Sequence, residues 1–485
     1  MTMLKQLRSI KFSRVLKEPV LLFTTSRYLA YGLLLLRGIL LAKYLGPYLF
    51  GVWGFITLAQ QYLSYTNLGI QFAVTVDLAT ASSDNVGYKQ KVIGNAITLS
   101  FLFAAGLAFL GLMLSGSNLN LFEQYSFNQY ALLLMIWVGL FNLQQVLINI
   151  YRVYDRLIRI AICEIIFAII PLLVTLVYRD EALITASLIA MIVSCLSNIL
   201  ILFYTPPFRY TFSFLSDIAW KLIKIGVPLL VYHVSFNMIT LAGRTILGIF
   251  YPNEVMGYYT LANTITNGTL LGFKAVLWIF FPLVLFKTRS EVADEAALKI
   301  IQKVNNLFNT SVLLLVFGMI IISPVLFIIL PQYQPAQDIL AVLLLAQAIL
   351  LVSFGFNSLA IARNEEGKVA IISLGAVVIV AGTGLLVAFL HLPPTWIANS
   401  VLLGSLIFTV LQVRISYRLI SPQGRLLNFM NSILPLGSVI SIALCWLGIM
   451  TGYTLVGGLT GLIVYSFSNR HSIKNLFNFV LKKFT

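Results

Sequence analysis

Long apolar segments recur along the whole chain, separated by short stretches that contain most of the charged residues. A helix needs about 20 apolar residues to cross the hydrocarbon core of a bilayer. By this criterion the pattern predicts fourteen membrane-spanning helices, of which the last is short. Numbered one to fourteen, the predicted spans are 20–44, 50–74, 92–114, 129–151, 160–178, 183–204, 222–250, 257–285, 304–330, 337–361, 369–390, 396–417, 430–450 and 453–468.

The lysines and arginines indicate how these spans are oriented. All but six of the 32 lie in the terminal segments or in alternate loops, on the side that both termini share. Because positive residues concentrate in cytoplasmic loops, the pattern predicts an even number of spans with both termini in the cytoplasm. The six exceptions are Lys43 and Arg179 on the predicted outer side, and Arg27, Arg37, Arg244 and Lys274 within spans.

Composition excludes an ordinary soluble protein. Hydrophobic residues make up 59% of the chain and charged residues 10%, whereas soluble domains contain about 25% charged residues. The net charge of +16 would suggest a nucleic-acid partner in a soluble protein. Here the basic residues are distributed over many short loops, so we predict no nucleic-acid binding. The three cysteines lie in apolar segments, which predicts neither a disulfide framework nor a metal site.

A short motif occurs twice, six spans apart. Arg37 precedes Gly51-Val-Trp53 by fourteen residues, and Arg244 precedes Gly257-Tyr-Tyr259 by thirteen. Each arginine lies late in its span, and a Pro-containing turn separates it from the next span. Both spans therefore run in the same direction. The repeat predicts an all-α membrane protein with two parallel six-helix lobes around a central cleft, plus two additional C-terminal helices.

This repeat also predicts the domain boundaries. The consecutive regions are an N-lobe at 1–204, a cytoplasmic linker at 205–220, a C-lobe at 221–419, and helices thirteen and fourteen with a basic cytoplasmic tail at 420–485. We expect the linker to lie along the inner membrane surface through its large apolar side chains. These are Phe212, Phe214, Leu215, Ile218 and Trp220.

Basic residues within the spans indicate an anion-binding site. An arginine at the centre of a span costs about 2.5–3.5 kcal/mol on insertion scales. The sequence retains several such cations without a matching set of carboxylates in the spans. Guanidinium groups bind phosphate oxygens in a planar fork, which suits a diphosphate. The candidate diphosphate-binding residues are Arg37, Arg244, Lys274 and Arg27, of which Arg27 alternatively extends to the cytoplasmic interface.

Polar residues follow single helix faces in several spans, which predicts a water-filled cleft between the lobes. The alternative is that such residues hold helices together by hydrogen bonds. The candidate lining residues are Gln60, Ser64, Asn67, Gln71, His233, Asn237, Thr240, Asn263 and Asn267. The predicted outer loops are short, and no HExxH, GxSxG or phosphate-binding loop is present. We therefore predict a carrier with no catalytic or metal-binding residues, and not an enzyme.

The segment from Arg37 through Leu45-Gly46-Pro47 to Gly51, the later Asn67-Leu-Gly-Ile stretch and the fourteen spans resemble the polysaccharide and O-antigen flippases. That family belongs to the multidrug/oligosaccharidyl-lipid/polysaccharide (MOP) exporter superfamily, which also contains lipid II flippases and the MATE drug exporters. The lipid II flippases resemble this chain in having a cationic cleft, with arginines on the first and eighth spans. Arg37 and Lys274 occupy positions of that kind.

The resemblance implies alternating-access movement of an undecaprenyl-diphosphate-linked oligosaccharide from the inner to the outer leaflet of the bacterial cytoplasmic membrane. The implied partners are this lipid-linked oligosaccharide, membrane lipid, a glycan polymerase and other export machinery. No cofactor is implied, and coupling to a Na⁺ or H⁺ gradient stays open. A MATE-type drug or metabolite exporter and a lipid II-type flippase are the alternative functions.

Overall fold

The computed structural model describes residues 18–81, 85–117, 122–204, 206–210, 212, 214–288, 294–363, 365–420, 434–474, 476 and 478. At 18–21, 274–283, 285–287 and 366 it describes the backbone alone. The regular elements in these ranges are helices, as the sequence predicts. They are α1 (Glu18–Leu63), α2 (Ile70–Thr80), α3 (Val86–Ser115), α4 (Phe127–Val153), α5 (Leu157–Val177), α6 (Asp180–Tyr204), α7 (Ser216–Phe250), α8 (Asn253–Lys287), α9 (Asp294–Ile329), α10 (Ala336–Val352), α11 (Phe354–Ala362), α12 (Glu366–Phe389), α13 (Thr395–Arg418), α14 (Leu436–Met450) and α15 (Thr454–Ser468).

The helices are those of a multi-pass membrane protein. In the part of the chain that the structure describes, ten helical segments are long and apolar enough to cross a membrane. Three further apolar helices are shorter, namely α2, α14 and α15. With 15 residues each, α14 and α15 extend about 22 Å at 1.5 Å per residue, less than the hydrocarbon thickness of about 30 Å.

The backbone breaks at three places along the predicted spans. Gly46 has φ 66° and ψ 173°, so α1 is two helices that meet at the Gly46-Pro47 turn. Leu68 and Gly69 both have positive φ, which interrupts predicted span two ahead of α2. Predicted span ten is divided at Ser353 into α10 and α11. The first break was predicted as the turn between spans one and two, whereas the hydropathy pattern did not predict the other two.

The chain forms two compact units. The first unit is Met1–Leu45 with Val52–Val231, and the second unit is Gly46–Gly51 with Tyr232–Thr485. Within the first unit, α3 packs closely on α4 because Gly111 and Gly139 lie at their contact. A methyl group at Gly139 would lie 2.9 Å from the Ala104 Cα. Small residues at such contacts let membrane helices approach closely.

In the second unit α10 is buried along nearly its whole length. Helices α14 and α15 form a hairpin in which Gly448 meets Gly457, and α15 packs on α9 through Gly458 and Gly461. Gly461 lies against Phe317 of α9. The two C-terminal helices are therefore packed onto the rest of the second unit.

The Gly46–Gly51 segment inserts tightly into the second unit. A Cβ at Gly51 would lie 1.9 Å from the carbonyl oxygen of Asn253, and a Cβ at Gly257 would lie 2.0 Å from that of Pro47. Each glycine thus meets the carbonyl four residues before the other. The two motifs therefore make the same contact with each other in both directions, as expected for motifs related by a two-fold axis.

The described part of the 205–220 segment packs on the first unit through aromatic side chains. Phe208 lies edge-on to Tyr151, and Tyr210 contacts both Phe208 and Phe212. The Leu215 amide donates to Asn95 Oδ1 at 2.7 Å. Phe212, Phe214, Leu215 and Trp220 are exposed, so membrane-surface contact by these side chains stays a prediction.

Candidate functional site

Arg37 is buried in the first unit. Its side chain lies late in the first half of α1, and only 5% of its surface is exposed. Nε and Nη2 are buried and have no hydrogen-bond partner among the described residues. Burial of an unpaired charge costs several kcal/mol. These two donor nitrogens are groups that a bound anion could satisfy.

A tryptophan ring lies beside this guanidinium, and a second tryptophan stacks on the first. Arg37 Cζ lies 5.3 Å from the centroid of the Trp53 ring, a distance at which a cation and a ring attract. Trp53 in turn stacks on Trp137 of α4, with centroids 6.4 Å apart and planes 12° from parallel. The indole Nε1 of Trp137 is also buried without a partner in the described structure. The first unit thus places Arg37 against an aromatic stack, with donor groups that no described residue binds.

The second unit repeats this arrangement. Arg244 of α7 has 4% of its surface exposed and interacts electrostatically with Tyr259 of α8. The Tyr259 hydroxyl is buried and has no hydrogen-bond partner among the described residues. In both copies of the motif, the buried arginine therefore interacts with the aromatic residue two positions after the glycine. This geometric recurrence supports the internal repeat that the sequence predicts.

The other two candidate cations differ from this pair. Arg27 Nε forms an ion pair with Glu164 Oε1 at 3.2 Å, and its guanidinium also lies over Phe23 and Tyr31. Glu164 neutralises Arg27 in part, a pairing that the sequence pattern did not predict. Lys274 belongs to α8, but its side chain lies outside the described part of the chain. Its predicted role stays a prediction.

The predicted lining residues of α1, its following turn and α2 have unequal surroundings. Asn67 is buried and its Oδ1 accepts from the Gly69 amide at 2.9 Å, which stabilises the break before α2. Ser64 donates to the Gln61 carbonyl at 2.7 Å. Gln71 retains a buried Oε1 without a partner among the described residues, and Gln60 is half-buried. Asn67 thus has a structural role, whereas Gln71 has unused hydrogen-bonding capacity.

The polar residues of α7 and α8 form ladders along single helix faces. Asn237 donates to the His233 carbonyl at 3.3 Å, and Thr240 donates to the Asn237 carbonyl at 3.0 Å. On α8, Asn267 donates to both the carbonyl and the side-chain oxygen of Asn263. These bonds remain within one helix, so they do not themselves join neighbouring helices. The ladders orient polar side chains along one face of each helix, and their place in a wet cleft stays a prediction.

No group of three or more metal-ligating side chains occurs among the residues that the structure describes. The stacked tryptophans were not expected, because Trp137 is separated from Trp53 by 84 positions and the motif repeat contains only Trp53. The signal that could have identified Trp137 is its place in the apolar part of span four. That place alone does not distinguish it from any packed aromatic residue.

Comparisons with known proteins identify the fold. No family model matches the sequence, and no curated protein matches it. Among solved structures, the lipid II flippase MurJ in an inward closed conformation matches with a TM-score of 0.68 and 16% identity, over 93% of this chain and 100% of that chain. An inward-facing multidrug resistance MATE transporter of the MOP superfamily matches with a TM-score of 0.60 and 14% identity, over 81% and 95% of the two chains.

A MOP superfamily transporter from Pyrococcus furiosus, whose binding pocket is described as having reverse polarity, matches with a TM-score of 0.55 and 13% identity. This match covers 83% of this chain and 95% of that chain. At such identities the matches establish the fold alone. The predicted all-helical membrane fold is confirmed, and the solved structures that it matches are transporters and a flippase rather than enzymes. The chain has the fold of the MOP superfamily transporters.

Proposed function

We propose that this protein is a flippase that moves an undecaprenyl-diphosphate-linked oligosaccharide, an O-antigen or other surface polysaccharide repeat unit, from the inner to the outer leaflet of the bacterial cytoplasmic membrane. Alternating access carries the head group across while the lipid tail stays in the bilayer. The proposed binding residues for the diphosphate are Arg37, Arg244, Lys274 and Arg27.

One observation carries the proposal, namely the buried Arg37 guanidinium with two donor nitrogens that have no partner among the described residues. A diphosphate supplies several acceptor oxygens and two or more negative charges, so it satisfies donors that the described protein leaves unused. The second copy of the motif adds Arg244, also buried. The two arginines occupy equivalent places of the internal repeat, and each is a guanidinium of the kind that binds phosphate oxygens.

The chemistry of the site separates this proposal from a MATE-type exporter of cationic drugs. Such an exporter needs membrane carboxylates that are free to bind a cation or a proton. Glu164 lies within a predicted span and is paired with Arg27. The polarity of the candidate site therefore favours an anionic substrate. A lipid II-type flippase has the same requirement for diphosphate binding, so it stays the alternative, and only the glycan distinguishes the two.

The proposed substrate also implies where the protein acts and with which partners. The lipid carrier places the protein in the inner membrane, with the amino- and carboxyl-terminal segments in the cytoplasm. A glycan polymerase and further export machinery act on the translocated unit. Coupling to a Na⁺ or H⁺ gradient stays open, and the protein needs no cofactor for the movement itself.

The test uses purified protein in liposomes that contain a fluorescent undecaprenyl-diphosphate oligosaccharide. A membrane-impermeant lectin or quencher reports the fraction exposed on each leaflet. We expect wild-type protein to equilibrate the leaflets, and Arg37→Ala and Arg244→Ala to abolish the movement. In cells, the same variants should remove the surface polysaccharide while its lipid-linked precursor accumulates.

Arg179→Ala is the matched control. Its guanidinium lies 3.8 Å from the Tyr44 ring centroid and donates to the carbonyls of Tyr178 and Leu176. This arginine belongs to the first unit as Arg37 does, and it lies on the predicted outer side. We expect normal movement in the control. Full activity of both Arg37→Ala and Arg244→Ala at normal membrane levels contradicts the proposal, and movement of lipid II alone selects the alternative substrate.

A further inference from the structure

Three polar side chains form a closed hydrogen-bonded ring where α2, α3 and α7 meet. Lys221 Nζ donates to Asp77 Oδ1 at 2.5 Å and to the Tyr88 hydroxyl at 2.6 Å. The Tyr88 hydroxyl donates to Asp77 Oδ2 at 2.8 Å. Each member contacts the other two, so the ring satisfies both carboxylate oxygens of Asp77. We call Asp77, Tyr88 and Lys221 the latch.

The latch joins residues that are distant in the sequence. Asp77 lies in the last turn of α2, Tyr88 in the first turn of α3, and Lys221 near the start of α7. By the predicted topology all three lie at the cytoplasmic end of their helices. The Asp77 side chain is 5% exposed and that of Lys221 is 48% exposed, so the lysine retains contact with water while it covers the carboxylate.

A close backbone contact lies next to the latch on two of the same helices. Gly69 precedes α2, and Gly226 follows Lys221 by five residues on α7. A Cβ at Gly69 would lie 2.2 Å from the Gly226 carbonyl oxygen, and one at Gly226 would lie 2.6 Å from the Leu68 carbonyl oxygen. The two backbones therefore approach closely here, and the Leu230 Cβ also lies 3.0 Å from the place that a Cβ at Gly69 would take.

Helix α7, which contains Lys221 of the latch, belongs to both compact units. Its first half, to Val231, belongs to the first unit, and its second half, from Tyr232, belongs to the second unit. The latch and the Gly69–Gly226 contact fasten the beginning of α7 to α2 and α3 within the first unit. Release of these contacts therefore frees the helix through which the chain passes from one unit to the other.

We propose that the Asp77–Tyr88–Lys221 ring is a cytoplasmic latch that closes the carrier on that side and opens when the substrate site is exposed to the cytoplasm. This inference rests on the proposed function, because it assumes an alternating-access cycle. The chemistry suits repeated opening. The exposed Lys221 partner keeps access to water, so its charge is hydrated at the aqueous membrane surface when the pair separates.

The test measures the distance across the latch in purified protein without substrate. Spin labels at Thr80→Cys and Ser216→Cys, both exposed positions, are placed in a background where the three buried native cysteines are alanine. Pulsed electron paramagnetic resonance then gives the distance distribution. We expect Lys221→Ala and Asp77→Asn to raise the ratio of long-distance to short-distance populations about five-fold, the change that a loss of about 1 kcal/mol produces.

Lys224→Ala is the matched control, since this exposed lysine lies one turn further along α7 and contacts Trp220. We expect its distance distribution to equal that of the parent. Tyr88→Phe retains the ion pair and removes two hydrogen bonds, so it should give an intermediate ratio even where a charge substitution impairs folding. An unchanged distribution in Tyr88→Phe and in a monodisperse Lys221→Ala or Asp77→Asn variant overturns the latch.

A second measurement links the latch to transport. A reducible thiol cross-linker between the same two cysteines should stop lipid movement in liposomes, and reduction should restore it. Continued movement after complete cross-linking overturns the inference while the proposed function stands. Altered distances in a protein that moves no lipid diphosphate support the latch and contradict the proposed substrate.

Discussion

Replacement of Gly51 by alanine tests the close contact between the two repeat motifs. The added methyl group would lie 1.9 Å from the Asn253 carbonyl oxygen, whereas ordinary contact begins at 3.4 Å. The Gly46–Gly51 segment and the start of α8 must therefore move apart by about 1.5 Å, as overpacking requires. Because the obstructing atom belongs to the backbone, it cannot rotate away as a side chain could.

The magnitude follows from two opposing effects. Overpacking of a close contact costs about 1–3 kcal/mol, and a backbone obstruction belongs at the upper end of that range. Alanine is favoured over glycine in a helix by about 0.8–1.0 kcal/mol. The strain exceeds the helical gain, so we expect Gly51→Ala to lower the free energy of unfolding by about 2 kcal/mol.

The assay is denaturation of the purified protein in detergent, followed by intrinsic tryptophan fluorescence. Gly32→Ala is the matched control, because Gly32 also lies in α1 and no atom lies within 4 Å of the place that its new methyl group would take. We expect that control to be neutral or stabilising. The double variant Gly51→Ala with Gly257→Ala should lose less than the sum of its single changes, since one separation relieves both clashes. Equal stability of Gly51→Ala and Gly32→Ala refutes the reasoning.

Two further changes act within single units. Glu164→Ala leaves Arg27 without its carboxylate. Because the pair is only partly exposed, we expect the free energy of unfolding to fall by about 1–3 kcal/mol, and by less in Glu164→Gln. Equal stability of Glu164→Ala and wild type contradicts this prediction. Thr454→Val removes the hydroxyl that donates to Asp338 at 2.5 Å, where α15 begins beside α10. We expect a loss of about 1–3 kcal/mol from the unmatched acceptor, measured by the same denaturation, and an unchanged midpoint argues against the contact.

Hydropathy locates the helices of this chain, because burial in lipid requires long apolar segments. It does not locate the break at Leu68–Gly69, because the polar residues before it recur at helical spacing, or the one at Ser353, which lies within apolar sequence. Positive φ at Leu68 depends on the turn that Asn67 caps, which is a local hydrogen bond and not a composition signal. Predicted span two consequently contains a turn that hydropathy could not show.

The candidate site was predicted in part. The repeat predicts Arg37 and Arg244 as site residues, because a costly residue at the same place in two copies is informative; the structure buries both, and their binding role stays a prediction. The Arg27–Glu164 pair was not predicted, since its members are 137 positions apart and hydropathy contains no information on which helices are neighbours. The same reason applies to Trp137 and to Lys221, whose partners lie on helices distant in the sequence.

Direct binding of a lipid diphosphate to Arg37 is the measurement that tests the central claim most directly. The purified wild-type protein, Arg37→Ala, Arg37→Lys and Arg179→Ala are titrated with undecaprenyl diphosphate and with the undecaprenyl alcohol. Loss of charge-assisted hydrogen bonds worth about 3 kcal/mol weakens binding by about 100-fold. We predict this loss for the diphosphate with Arg37→Ala, a smaller loss with Arg37→Lys, and no change with Arg179→Ala. Equal affinity of wild type and Arg37→Ala for the diphosphate, or equal affinity of wild type for diphosphate and alcohol, would contradict the claim.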